Sequence, residues 1–159
     1  MHARRRTRFG VSCTLAIAPL LGVAACGDDP VEVEFQVIEE TEFAASLNID
    51  LAQMEMLSTG VYRQDLVPGA GDALVLGDRA YVQYTGWLSD GIEFGAGAFD
   101  FLVGNAEVIP GFEDGLIGIQ PGGTRLLVIP PERAYGSARV GPIPPGSIVV
   151  FRVTLVSLG

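Results

Sequence analysis

Val108-Ile109-Pro110-Gly111-Phe112-Glu113-Asp114-Gly115-Leu116 decides the fold. Pro110 has a fixed φ and no N–H to satisfy, so it suits the first turn of a helix. Glu113 and Asp114 set negative charge against the positive end of the helix dipole. Phe112 and Leu116 lie four residues apart and share one face. A short helix is therefore expected here, with Val108, Ile109 and Phe112 gathered around the backbone corner at its start. No charge lies among those three.

Outward from that corner the chain reads as strands. Residues 61–67 form an extended run closed by Pro68-Gly69-Ala70-Gly71. Arg79 to Leu88 alternates until Ser89-Asp90-Gly91, whose Asp-Gly pair marks a tight hairpin. Residues 99–103 and 124–129 are two more strands. The last, 147–158, alternates Val149, Phe151, Val153 and Leu155 with Val150, Arg152, Thr154 and Val156. The expected class is α+β: an antiparallel, twisted five-stranded sheet wrapped around one short helix.

The part preceding this domain differs in character. Arg4, Arg5, Arg6 and Arg8 precede an apolar run from Phe9 to Ala25 that is too short for a comfortable membrane span, the layout of a signal peptide. Val23-Ala24-Ala25-Cys26 looks like the lipobox of bacterial lipoproteins, which would make Cys26 the lipidated residue. The expected organisation is a lipoprotein signal over 1–25, an anchor, tether and N-terminal extension over 26–59, and the domain proper over 60–159. Within the extension, 31–37 alternates with period two, a strand signal. Residues 43–56 carry apolar groups at spacings near three and four, which suits a loose amphipathic turn packed on the outside of the domain rather than a dimerisation arm. The chain is thus expected to be exported and lipid-anchored to a bacterial membrane. Gly27, where an Asp would retain an inner-membrane lipoprotein, favours the outer membrane.

Charge and rare residues exclude whole classes. There is no Lys, and beyond residue 25 six Arg face all 19 acidic residues, a formal charge of −13. Such a surface repels phosphates, so nucleic acid is not an expected partner, and membrane attachment falls to the lipid alone. Cys13 and His2, the only histidine, leave with the signal, and Cys26 is the predicted anchor. No thiol or imidazole is then available to the domain for a disulfide, a metal site or a triad. Glu113 and Asp114 do not make a hydrolase pair, because adjacent helical residues point about 100° apart. Gly95-Ala96-Gly97 has no helix behind it and carries no nucleotide signal.

Four further motifs complete an apolar, aromatic-lined cleft: Val82-Gln83-Tyr84-Thr85-Gly86-Trp87; Ile129-Pro130-Pro131 with Ala134-Tyr135-Gly136; Ile143-Pro144-Pro145; and Val149-Val150-Phe151. In this order, over residues 60–158, they closely resemble the FKBP-type peptidyl-prolyl isomerases, which bind rapamycin-like macrolides. The resemblance implies an FKBP-like fold and prolyl isomerase activity without a cofactor or metal. It implies proline-containing polypeptides as partners, with rapamycin-like macrolides as a further ligand class. It assigns Tyr84, Ile109 and Tyr135 to catalysis and Phe94, Phe99, Val108, Phe112, Ile143 and Phe151 to substrate binding. Ile109 would donate its backbone N–H, and Tyr135 its hydroxyl, to carbonyls flanking the proline. Phe112 would be the floor under the pyrrolidine ring, where the family usually has Trp. Trp87, just before the hairpin, is expected to pack on the surface instead.

Such a cleft suits amide rotation. The X-Pro barrier of about 18–20 kcal/mol arises from resonance, and uncatalysed exchange takes tens to hundreds of seconds. A twisted amide has lost its charge-separated form, so a dry, apolar site favours it over the planar ground state. An acceleration of about 10⁴-fold needs only about 5–6 kcal/mol of differential binding. Two departures from the family pattern bear on catalytic strength. Gly95 replaces an Asp that would bond Tyr84, and the link from Phe94 to Phe99 is several residues shorter, so the Arg that would pair with that Asp is missing too. The loop after Tyr135 is also one residue shorter. These losses keep a second reading open, a proline-peptide binding module or chaperone with little isomerase activity.

Overall fold

The computed structural model describes residues 32–159; the signal segment, Cys26 and the tether lie outside the described residues. Six strands form one antiparallel sheet: β1 (Glu55–Met56), β2 (Tyr62–Val67), β3 (Arg79–Leu88), β4 (Glu93–Leu102), β5 (Thr124–Ile129) and β6 (Val149–Leu158), in the order β1-β2-β5-β6-β3-β4. One helix, α1 (Pro110–Leu116), fills the inner face. The α+β expectation holds, with one strand more than the five read from the sequence. The addition is β1, only two residues long, paired through Glu55↔Arg63 and Met56↔Tyr62.

The alternation read in the last strand sorts the two faces. Val149, Phe151, Val153 and Leu155 point inward with Leu127 and Ile129 of β5, onto Phe112 and Leu116 of α1. Glycine sets how closely α1 approaches. A Cβ on Gly111 would meet Ile129 Cγ2 at 2.3 Å, and one on Gly115 would meet Leu127 Cδ2 at 2.6 Å, so the helix rests on β5 through its two bare positions. Burying the helix flank this way brings Phe112 beside the sheet.

The outer face carries a second core. Leu126 and Val128 of β5, Ile148 and Val150 at β6, and Tyr62 of β2 pack against Ile38, Leu47 and Met54 from the N-terminal extension. β5 is therefore buried on both faces, as its unbroken Leu-Leu-Val-Ile run requires. The extension covers the sheet in short 3-10 turns at Ile38–Glu40, Ala45–Leu47 and Leu51–Gln53, the form that the loose spacing over 43–56 takes. Asp50 caps the last of these by accepting the Ala52 N–H at 3.1 Å. The strand expected over 31–37 does not form among its described residues. Val33 and Phe35 still alternate in burial with their neighbours, but none of the six strands pairs with this segment. Only the Gln36 N–H reaches a backbone acceptor, Gly146 O at 2.9 Å.

The hairpin is tighter than the sequence suggested. No separate link joins Phe94 to Phe99; β4 runs unbroken from Glu93 to Leu102 along β3. The register steps from Gly86↔Gly95 to Trp87↔Glu93, leaving Phe94 as the extra residue of a bulge. A bulge re-aims a side chain, and this one turns Phe94 onto the inner face.

Candidate functional site

The nine residues assigned to the cleft come together. Tyr84 from β3, Phe94 and Phe99 from β4, Val108 and Ile109 from the corner before α1, Phe112 from the helix, Tyr135 and Ile143 from the connection between β5 and β6, and Phe151 from β6 line one cavity of about 810 Å³. Gly95, Ala106, Glu107, Pro110, Val140, Gly141 and Pro142 complete it. The base is an aromatic cluster. Phe151 sits 5.3 Å from Phe112 and 5.4 Å from Phe94, both edge to face, and Tyr84 stands edge-on to Phe99 at 5.4 Å. Such geometries add about 0.5–1.5 kcal/mol per pair beyond area burial, so the floor is held in one arrangement. Phe112, Ile143 and Phe151 are buried, while Tyr84, Phe94, Phe99, Val108, Ile109 and Tyr135 are half-exposed walls.

Polar groups in this cavity are few and specific. Ile109 caps α1 with extended backbone; its carbonyl accepts the Phe112 N–H at 3.0 Å, and its own N–H has no partner among the described residues. The Tyr135 hydroxyl is likewise without a protein partner. Burial, and then the neighbouring Tyr84 phenol, push its pKa above the usual 10, so it stays a neutral donor throughout the physiological range. Glu107, the one carboxylate among the described residues lining the cavity, accepts from the Asn105 side chain at 2.7 Å and the Leu102 N–H at 3.1 Å. Those two bonds, Asn105 first, hold its pKa below 4.5. It is ionised at neutral pH with its oxygens already engaged.

The loops that carry these groups are fixed locally. Pro131–Arg133 is a 3-10 turn, and Arg133 is paired with Asp114 on α1, which ties the Tyr135 loop to the helix. Asp114 thus does more than complement the helix dipole. Val140 and Ile143 exchange backbone bonds at 2.9 and 3.1 Å around Gly141-Pro142. Gly141 takes φ 55 at the first turn position and Pro142 cannot follow with a positive φ, which selects a type II′ turn. Sequence reading missed Val140, Gly141 and Pro142, although a Gly-Pro pair between two β-branched residues is a turn signal. It also missed Ala106, whose φ of 54 is unusual for a residue with a Cβ, and which no sequence pattern marks.

Two other expectations can be located. Trp87 lies on the outer face, against the second core, with the Arg152 guanidinium 5.4 Å from its ring, and is not part of the cavity. Gly95 faces Tyr84: a Cβ built there would stand 3.8 Å from the phenol oxygen and meet nothing else within 4 Å.

Comparison with known proteins gives a consistent result. Residues 71–156 match the sequence profile of the FKBP-type peptidyl-prolyl cis-trans isomerases. The chain is 45% identical over 103 residues to FK506-binding protein 4 of Chaetomium thermophilum, covering 62% of this chain and 21% of that protein. It is 42% identical over 106 residues to the FKBP-type peptidyl-prolyl cis-trans isomerase FkpA of Escherichia coli K12, covering 64% and 38%. The crystal structure of Escherichia coli FkpA superposes with a TM-score of 0.62 at 40% identity, over 67% of this chain and 51% of that one. A peptidyl-prolyl cis-trans isomerase from Pseudomonas syringae pv. tomato gives 0.63 at 29% identity, over 72% and 86%. The chain spans between 21% and 38% of the length of these two curated relatives.

Proposed function

The chain belongs to the FKBP-type peptidyl-prolyl cis-trans isomerases, and from that premise we propose that it catalyses X-Pro rotation in polypeptides bound at the aromatic cavity. The observation that carries this reading is the unpartnered Ile109 N–H at the mouth of a cavity floored by Phe112 and Phe151. The pyrrolidine ring rests on Phe112, and the carbonyl beside it accepts from Ile109. Tyr135 donates its hydroxyl to a neighbouring carbonyl. Rotation moves the amide toward a less polar state, which the aromatic walls favour over water. The same cavity takes rapamycin-like macrolides, which present a similar apolar ring and carbonyl. The test is a protease-coupled assay on a short Ala-Pro peptide with the full chain in detergent. Turnover well above the spontaneous rate is expected; tight binding without acceleration would favour a chaperone-like binding module instead.

Gly95 sets the expected strength. An Asp Cβ at this position has room, and its carboxylate would come within hydrogen-bonding reach of the Tyr84 hydroxyl. A hydrogen bond to a charged group is worth about 1.5–3 kcal/mol when well placed, and among the described residues no Arg lines the cavity to hold this one. Gly95→Asp is therefore expected to raise kcat/KM by less than about tenfold. A much larger gain would make that carboxylate central to catalysis and the apolar cavity secondary.

We further propose that the protein is exported and held at a bacterial membrane by a lipid on Cys26, where it assists folding of exported clients whose X-Pro bonds limit the rate. The small-residue run before Cys26 supports this, together with the excess of 19 acids over six Arg beyond residue 25, a surface that repels anionic headgroups. Cys26→Ser is expected to give an unprocessed or soluble protein. A variant that still sediments with membranes after high-salt washing, as the parent does, would remove the lipid from the account.

A further inference from the structure

The shortened hairpin leaves something besides a missing carboxylate. β4 is an outer strand of the sheet, ten residues long, and its middle, Phe94-Gly95-Ala96-Gly97-Ala98-Phe99, carries no charge. Protein edges of this length are normally blunted by Lys, Pro or inward charges. Here Ala96, Gly97 and Ala98 are all exposed.

Which backbone groups point outward follows from the ladder. The Val103 N–H bonds Asp78 O at 2.9 Å and Val103 O accepts from Gly77 at 3.0 Å, so beyond the Phe94 bulge the odd-numbered residues of β4 bond toward β3. Even-numbered residues face away, as the Leu102 N–H confirms by donating to Glu107 Oε2 at 3.1 Å. The N–H and C=O of Ala96 and Ala98 lie in that outward set and have no partner among the described residues. Glu107 closes the row at Leu102, and the cavity lies alongside the rest, since Phe94, Gly95 and Phe99 of the same strand line it. Glycine within a strand is typical of a place where another backbone comes close.

We propose that the Ala96–Ala98 edge of β4 is a second substrate subsite. An extended segment flanking the client proline adds to the sheet there as an extra strand, through backbone bonds to Ala96 and Ala98. Recognition of this kind is indifferent to side-chain sequence and acts only on substrates long enough to reach beyond the proline. It would supply a remote grip in a cleft that lacks the carboxylate at Gly95. The inference rests on the cavity binding proline.

The test uses the full chain in detergent and a peptide of about 12 residues with one central Ala-Pro, long enough to run along β4. Two twins of this peptide are backbone N-methylated on alternate flanking residues, one in each phase. Strand addition uses every second N–H, so one phase is expected to weaken binding about tenfold or more and the other to leave it nearly unchanged. Ala98→Pro removes an outward donor while sparing the bonds to β3, and is expected to abolish the difference between the phases. Equal binding of all three peptides overturns the inference and leaves the isomerase reading standing. Retention of the phase effect in Ala98→Pro overturns the assignment to this edge. A dimer in sedimentation that Ala98→Pro dissolves would give the edge to a second copy of the chain instead. Failure to bind even a four-residue Ala-Pro peptide would sink the underlying reading and this inference with it.

Discussion

Arg125→Met is expected to lower the free energy of unfolding by about 2–4 kcal/mol. Arg125 is only 5% exposed and commits four of its five guanidinium N–H groups to bonds within the protein. Nε and Nη2 donate to the two oxygens of Asp65 at 2.6 and 3.2 Å, while Nη1 donates to Gly115 O at 2.8 Å and Ile117 O at 3.0 Å. Those carbonyls belong to the last turn of α1, where no intrahelical donor exists and a positive charge is favourable. Arg63 adds a second donor to Ile117 O at 2.9 Å, but Gly115 O has no substitute among the described bonds. The cost of Met is thus an unpaired buried carbonyl plus lost charge-assisted bonds. Asp65 adds little, because its side chain is 57% exposed and returns to water. Arg79→Met is the control. Its pair with Asp100 is exposed on both sides, and pairs of that kind contribute about 1 kcal/mol or less. Urea denaturation of both variants decides the matter: equal losses would show that Arg125 is an ordinary surface cation rather than the clamp on α1.

That clamp shows where sequence reading stops. The helix start was legible because Pro110, Glu113 and Asp114 act through local physics, and the 149–155 alternation was legible because the side-chain period of a strand is two. The cleft residues were legible only together, through a resemblance in order and spacing; singly, an aromatic such as Phe151 reads as plain core. Arg125 reads in the sequence only as a charge, since its four bonds join residues 8 to 60 positions away. The strand expected over 31–37 failed for a related reason. Alternation reports which side chains are buried, and Val33 and Phe35 are indeed half-buried, but it is silent on whether a neighbouring strand has free bonds to offer. In the sequence the short hairpin is only a gap in a family pattern. Its consequence, an unbroken β4 with a bulge at Phe94, depends on pairing with β3.

Phe112→Ala is expected to weaken binding of a short prolyl peptide by about 2–4 kcal/mol, a loss of roughly 30- to 1,000-fold in affinity. The ring is 3% exposed and sits 6.0 Å from Phe99, 5.9 Å from Phe101 and 5.3 Å from Phe151. It is therefore both the floor for the pyrrolidine and a core residue, and truncation should also destabilise the fold by about 3–5 kcal/mol. Binding must accordingly be measured where circular dichroism shows the variant folded. Phe112→Leu offers a gentler version that keeps most of the volume while losing the flat face. Trp87→Ala separates the two effects. Trp87 packs against the outer core and lies under Arg152, so its loss should cost stability while changing peptide affinity by less than about 0.5 kcal/mol. Two variants that both destabilise, only one of which loses the peptide, place the proline on Phe112. Matching losses of affinity in folded Phe112→Leu and Trp87→Ala would put the binding site elsewhere on the sheet.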